Sequence, residues 1–100
     1  MARESASWRG LVSRDIWNDA PAVILVDKAA RKNTYEVYVQ GRQVSREWLL
    51  ADAKARAERE LGPLEWGRAK AEQVKALHYW FGWTDEFTDP AIFYVGHPSR

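Results

Sequence analysis

The residues that could carry out chemistry are few and scattered along the chain. The possible general bases are His78 and His97, and no serine lies in the G-x-S-x-G turn of a hydrolase nucleophile. His78 stands in an aromatic run, which is typical of a packed side chain rather than a catalytic base. His97 lies in the segment 97–100, which we expect to be a solvated tail. The sequence therefore predicts no catalytic residue and no enzyme.

Carboxylates concentrate in the segment 84–90. Asp85, Glu86 and Asp89 lie close together, but the spacing and the glycine of an EF-hand loop are missing. Capping and turn formation, as at Asp89-Pro90, explain these residues better than a metal or catalytic site does. We therefore predict no metal site and no cofactor, and we take Asp85 and Glu86 as candidates for contact with a protein partner.

The composition excludes several other kinds of site. The chain has no cysteine, which rules out a disulfide scaffold, a thiolate zinc site and a cysteine nucleophile. Its 100 residues are enough for one domain with one core, so we expect a single domain over 1–100 with residues 1–7 disordered. There is no signal-peptide pattern and no apolar run of membrane-spanning length. We expect a soluble, cytoplasmic protein.

Basic residues concentrate around a predicted β-hairpin, although the net charge is only +1. Positive charge next to aromatic rings is typical of nucleic-acid-binding surfaces. Arginine and lysine on a hairpin also keep an exposed sheet edge from aggregating, and this explanation stays open. The candidates for nucleic-acid binding are Lys28, Arg31, Lys32, Tyr35, Tyr38, Arg42 and Arg46.

Tryptophan is the most unusual feature of the composition, with six in 100 residues. A small core cannot easily hide that many rings, and exposed aromatic residues are favoured at binding sites. Half-buried positions at the rim of the core are the alternative. The candidate anchors for a protein partner are Trp48, Trp66, Trp80 and Trp83, beside the acidic Asp85 and Glu86.

The segment 22–61 carries the clearest secondary-structure pattern. It predicts a central strand at 22–27, a strand at 34–39, a Gln40-Gly41 turn and a short return strand at 42–44. Ser45 is a good N-cap, so a helix is predicted over 45–61 with its apolar stripe at Leu49, Leu50, Ala53, Ala57 and Leu61. Trp48 lies nearly opposite this stripe and is either covered by another segment or exposed.

The segment 64–83 is ambiguous. Alternation favours a strand at 64–70 and another at 76–83, whereas Ala69, Gln73, Leu77 and Trp80 have helical spacing. A final strand is predicted at 91–95. We favour the strands, which gives an α+β fold: a small antiparallel sheet of four to six strands with the one long helix, residues 45–61, packed on one face.

Two short motifs carry a resemblance to a known group of proteins. Leu64-Glu65-Trp66 after a capped helix, and 86–90 (EFTDP) before an aromatic strand, resemble small uncharacterised accessory proteins of actinobacteria-infecting bacteriophages. The order of elements agrees from Thr34 onward, and the Ala- and Arg-rich composition suits a GC-rich genome. The resemblance implies a protein that acts in the host cytoplasm by binding a host protein. It supplies no site residues.

The order of helix after hairpin also resembles double-stranded-RNA-binding-like and AP2-like domains at the level of the fold, without their motifs.

These observations predict a small non-enzymatic interaction protein that binds a host protein or itself, so that a homo-oligomer is one expected state. A nucleic-acid-binding module that uses the basic hairpin 28–46 is the alternative.

Overall fold

The computed structural model describes residues 16–28, 32–82 and 92–99, and these residues form an α+β domain. Its strands are β1 (Ala22–Asp27), β2 (Thr34–Val39), β3 (Arg42–Glu47), β4 (Leu64–Arg68) and β5 (Ile92–Pro98). Its helices are α1 (Leu50–Leu61) and α2 (Ala71–Phe81), and residues 16–19 are also helical. The five strands form one antiparallel sheet in the order β3-β2-β1-β5-β4. The prediction of the α+β class is confirmed.

Strand β1 lies at the centre of the sheet, as its unbroken apolar sequence predicts. It pairs with β2 on one side and with β5 on the other. Val23 and Ile24 are fully buried although they point to opposite faces, because each face is covered by a helix. A continuous apolar run is what a strand needs when both of its faces are buried.

The β2–β3 hairpin has the predicted two-residue turn. Gln40 and Gly41 both have positive φ (50° and 86°), and Val39 lies opposite Arg42 and Tyr38 opposite Gln43. Beyond that point the register shifts, so that Val37 lies opposite Ser45 rather than Val44. A β-bulge, an extra residue in one strand, explains the shift.

The predicted start of the long helix at Ser45 is wrong. Strand β3 continues to Glu47, and α1 begins at Leu50 with Leu49 at the N-cap position. Ser45 is engaged in the ladder with β2, so pairing with a long neighbouring strand prevails over its preference for a helix cap. The helical stripe itself is confirmed for Ala53 and Ala57, which are fully buried against the sheet.

The predicted strand at 76–83 is also wrong. Residues 71–81 form α2, which covers the face of the sheet opposite α1 with Ala76 and Leu77 buried. The Gln73 side chain accepts a hydrogen bond from the Lys70 backbone N–H (2.8 Å), and Gly82 ends the helix with a left-handed conformation. The sheet is therefore sandwiched between two helices rather than covered on one face.

The ends of the sheet differ slightly from the prediction. The strand predicted at 64–70 ends at Arg68, and the last strand extends to Pro98 and includes His97, so His97 does not lie in a tail. No helix in the described ranges is long and apolar enough to span a membrane. The predicted disorder of residues 1–7 lies outside the described residues.

Candidate interaction surface

The two histidines occupy structural positions. His78 is buried on α2 with its ring 5.9 Å from that of Phe93, as expected for a packed side chain. His97 donates from Nδ1 to the backbone oxygen of Asp19 at 2.6 Å, because a carbonyl can only accept. Within residues 16–28, 32–82 and 92–99, no group of three or more His, Asp or Glu side chains is arranged to hold a metal ion.

The basic candidates do not share one surface. Arg42 lies at the turn end of the hairpin and faces Glu60 of α1 at 3.7 Å, whereas Arg46 lies on the other face and pairs with Glu36 at 2.7 Å. Tyr35 packs into the core between α1 and the sheet, which we call the α1-side core. Tyr38 packs into the core between α2 and the sheet, the α2-side core. Lys28 and Lys32 are exposed near the far end of β2, and Arg31 lies outside the described residues. The structure therefore divides this set between two faces.

Glu36 is the best-buried carboxylate of the hairpin. It is 9% exposed, and its two oxygens accept from Arg46 (2.7 Å) and from the Tyr38 hydroxyl (2.9 Å). Burial raises the pKa of Tyr38 above its ordinary value of 10.0, and the hydrogen bond to Glu36 raises it further. These three side chains join β2 to β3 on the α2 side of the sheet. Tyr38 and Arg46 therefore have a structural role in the hairpin that does not require a ligand.

The raised pKa of Tyr38 predicts a loss of stability in alkaline solution. The folded state holds the phenolic proton more tightly than the unfolded chain, so the stabilisation is complete below pH 10.0 and is lost as the pH rises above it. The free energy of unfolding of the wild type should fall between pH ~10 and ~12, and that of the Tyr38→Phe variant should fall less steeply. Urea denaturation across this range measures both slopes. Equal slopes for the two proteins would show that Tyr38 is not the group responsible.

Trp66 is a packing residue on the α1 side of the sheet. Its ring lies on Gly96 of β5, where an added Cβ would approach three ring carbons at 3.0 to 3.1 Å. Its Nε1 donates to Glu58 Oε2 of α1 at 3.1 Å, and the same oxygen accepts from the Leu64 backbone N–H. Trp66 therefore links α1 to β4 and β5.

Trp80 lies on the opposite side of the molecule. Its ring meets that of the buried Trp17 edge to face, with centroids 5.5 Å apart, and 43% of the residue is exposed. It also packs against the hairpin turn, because a Cβ on Gly41 would come within 2.9 Å of Trp80 Cζ2. Trp83, Asp85 and Glu86, which the sequence placed in the same set, lie outside the described residues.

Trp48 is the most exposed large apolar residue among those described, at 66%, and Leu49 beside it is 60% exposed. Of the two alternatives for Trp48, exposure is the one observed. Leu49 was predicted to lie on the buried stripe, and this is wrong because the helix begins one residue later and Leu49 stays outside its first turn. Leu49 was not predicted to be a surface residue, because its spacing matches that of the buried stripe.

Trp48 and Leu49 directly follow β3, which is an edge strand of the sheet. In the described part of the chain, β3 pairs with β2 alone, so its other side presents unpaired backbone groups. We call this outer side of Arg42–Glu47, together with Trp48 and Leu49, the β3 edge. Strand β4 is the other edge of the sheet, and its exposed residues are Glu65, Gly67 and Arg68. The β3 edge thus combines unpaired backbone with apolar surface, and the β4 edge does not.

Comparison with models of known protein families, with curated proteins and with solved structures gives no match for this chain. The resemblance to bacteriophage proteins therefore stays a prediction.

Proposed function

We propose that this protein is a small non-enzymatic interaction protein that binds another protein through the β3 edge. The observation that carries the proposal is the pair of exposed side chains, Trp48 and Leu49, directly after a strand with one unpaired side. An added strand gains backbone hydrogen bonds from such an edge, and flanking apolar residues supply the contact that selects the partner. Tryptophan is among the residues that contribute most binding energy at protein interfaces.

The bacteriophage resemblance supports a protein of the host cytoplasm as one class of partner, with a second copy of the chain as the other. Nucleic-acid binding by the basic hairpin receives less support. Arg42 and Arg46 point to opposite faces of the sheet, so these two arginines do not form one basic surface.

A capture experiment tests the proposal. The tagged protein is immobilised, exposed to bacterial lysate that also contains a differently tagged copy of the chain, and treated with nuclease. We expect protein partners on the wild type and a loss of about tenfold or more on Trp48→Ser/Leu49→Ser, because each truncated anchor residue costs about 1–2 kcal/mol or more of binding energy.

The matched control is Tyr79→Ser, which removes another exposed aromatic residue, on α2, 39% exposed. It should capture the same partners as the wild type. Equal capture by the wild type and the double variant would contradict the proposal. Capture that disappears with nuclease and is reduced by Arg42→Ala would favour the nucleic-acid alternative instead.

A further inference from the structure

We propose that the β3 edge pairs with the β3 edge of a second copy of this chain, which joins two five-stranded sheets into one antiparallel sheet. This inference rests on the proposed function and names its partner. It follows from the faces to which the side chains of β3 point, from their charges and from the bulge.

The bulge gives β3 an unusual alternation of faces. Residues on the α1 side of the sheet lie opposite Val39, Val37 and Tyr35 of β2 or pack into the α1-side core; they are Arg42, Val44, Ser45 and Glu47. Gln43 and Arg46 lie opposite Tyr38 and Glu36 and therefore point to the α2 side. The two neighbours Val44 and Ser45 thus share a face, which a regular strand does not allow.

This alternation selects a single register for symmetric pairing. When two copies of a strand pair antiparallel about a twofold axis, residues directly opposite each other must point to the same face. Over all of Arg42–Glu47, this condition holds when Arg42 lies opposite Glu47, Gln43 opposite Arg46 and Val44 opposite Ser45 of the second copy. A shift by one residue in either direction sets side chains of opposite faces against each other.

The selected register is also the one that the charges favour. It forms two Arg42–Glu47 pairs, one on each side of the twofold axis, and opposes no like charges. Of the two registers shifted by one residue, one would oppose Arg42 to Arg46. Within its own chain, Arg42 faces Glu60 at 3.7 Å with 72% of its side chain exposed, and such a surface pair competes weakly.

The proposed pairing would also place the exposed apolar residues that follow β3 beside the second copy. Extended by one residue, the register brings Trp48 next to Gly41 of the second copy, the glycine against which Trp80 packs within each chain. Arginines and a bulge on an edge strand suppress indiscriminate pairing. Here the same features are compatible with one specific partner.

The test measures the mass of the protein by sedimentation over a range of concentrations. We expect a monomer–dimer equilibrium for the wild type, and dimers weakened roughly ten- to hundredfold by either Arg42→Glu or Glu47→Arg, because each change turns two attractions into two repulsions. Glu60→Gln is the matched control. It removes the partner of Arg42 within the chain and should leave dimerisation unchanged.

The decisive sample is an equimolar mixture of the two single variants. In the mixed pair, the glutamate introduced at position 42 of one copy would meet the arginine introduced at position 47 of the other. On the other side of the twofold axis, the unchanged Glu47 would meet the unchanged Arg42. Dimerisation in the mixture should therefore return to about the wild-type strength although each variant alone dimerises weakly, and this recovery also shows that both variants are folded. The double variant Arg42→Glu/Glu47→Arg should dimerise with itself for the same reason.

A wild type that stays monomeric at all concentrations would overturn the second copy as partner. A dimer that neither charge reversal weakens, or a mixture that does not recover, would overturn this register. Neither result removes the proposed function, which fails only if the double variant Trp48→Ser/Leu49→Ser captures the same proteins as the wild type.

Discussion

Replacement of Phe93 by alanine is expected to lower the free energy of unfolding by about 3–5 kcal/mol. Phe93 is 1% exposed and lies at the centre of the α2-side core, with its ring stacked 6.2 Å from that of Phe81. Its removal leaves a cavity between the sheet and α2. A loss of this size is a large fraction of the stability of a small domain, about 5–15 kcal/mol in total.

Chemical denaturation measures this loss, and two controls define its origin. Phe93→Leu keeps most of the volume and should cost clearly less. In dilute solution, where the protein is monomeric, Trp48→Ala removes a larger ring from an exposed position and should change the free energy of unfolding by less than about 0.5 kcal/mol. If Phe93→Ala lowered the free energy of unfolding no more than Trp48→Ala does, the result would contradict the packing of α2 on this face of the sheet.

Gly96→Val is expected to destabilise the protein by about 1–3 kcal/mol through the opposite face. A Cβ at Gly96 would stand 3.0 Å from Trp66 Cη2 and Cζ3, so the ring must move. Movement of the ring breaks the hydrogen bond from Trp66 Nε1 to Glu58 and loosens the link between α1 and β4. The tryptophan fluorescence of the folded protein should change together with the unfolding midpoint.

Gly67→Val is the matched control for this substitution. Gly67 lies in β4, beside β5, and an added Cβ would meet nothing within 4 Å. Because valine favours strands more than glycine does, stability should stay the same or rise. Equal losses from the two substitutions would point to a general intolerance of side chains at this end of the sheet, and would contradict the specific role of Trp66.

The parts of the fold that the sequence predicted are those with a local signal. The β1 run, the alternation of β2 and the Gln40-Gly41 turn need little information from elsewhere in the chain. The helical spacing of Ala53 and Ala57 is equally local, and the structure buries both.

The errors arose where contacts distant in sequence prevail over local preference. Ser45 is a favourable helix cap in isolation, but the ladder with β2 holds it in β3. The aromatic residues 78–81 favour a strand, yet Ala76 and Leu77 bury one side of a helix against β1 and β5. The hydrogen bond from Gln73 Nε2 to Asp19 (3.0 Å) fixes α2 to a segment 54 residues away, which no local pattern reveals.

The candidate site was predicted only in part, for a related reason. Trp48 was identified from its residue type, but its exposure depends on where α1 begins. The register of β3 depends on a bulge with no clear mark in the sequence. Of the predicted partner-binding residues, the three that the structure describes, Trp48, Trp66 and Trp80, lie in separate parts of the molecule, and Trp66 has a packing role.

The most direct test of the β3 edge is amide hydrogen exchange, resolved by residue, in dilute and in concentrated solutions of the wild-type protein. The outward-pointing amides of Arg42–Glu47 should exchange freely in the dilute sample and become protected in the concentrated one. Strand β4, the other edge of the sheet, serves as the internal control and should not change. Exchange in β3 that is equally fast in both samples, or protection that appears in β4 instead, would contradict the assignment of β3 as the surface where two copies meet.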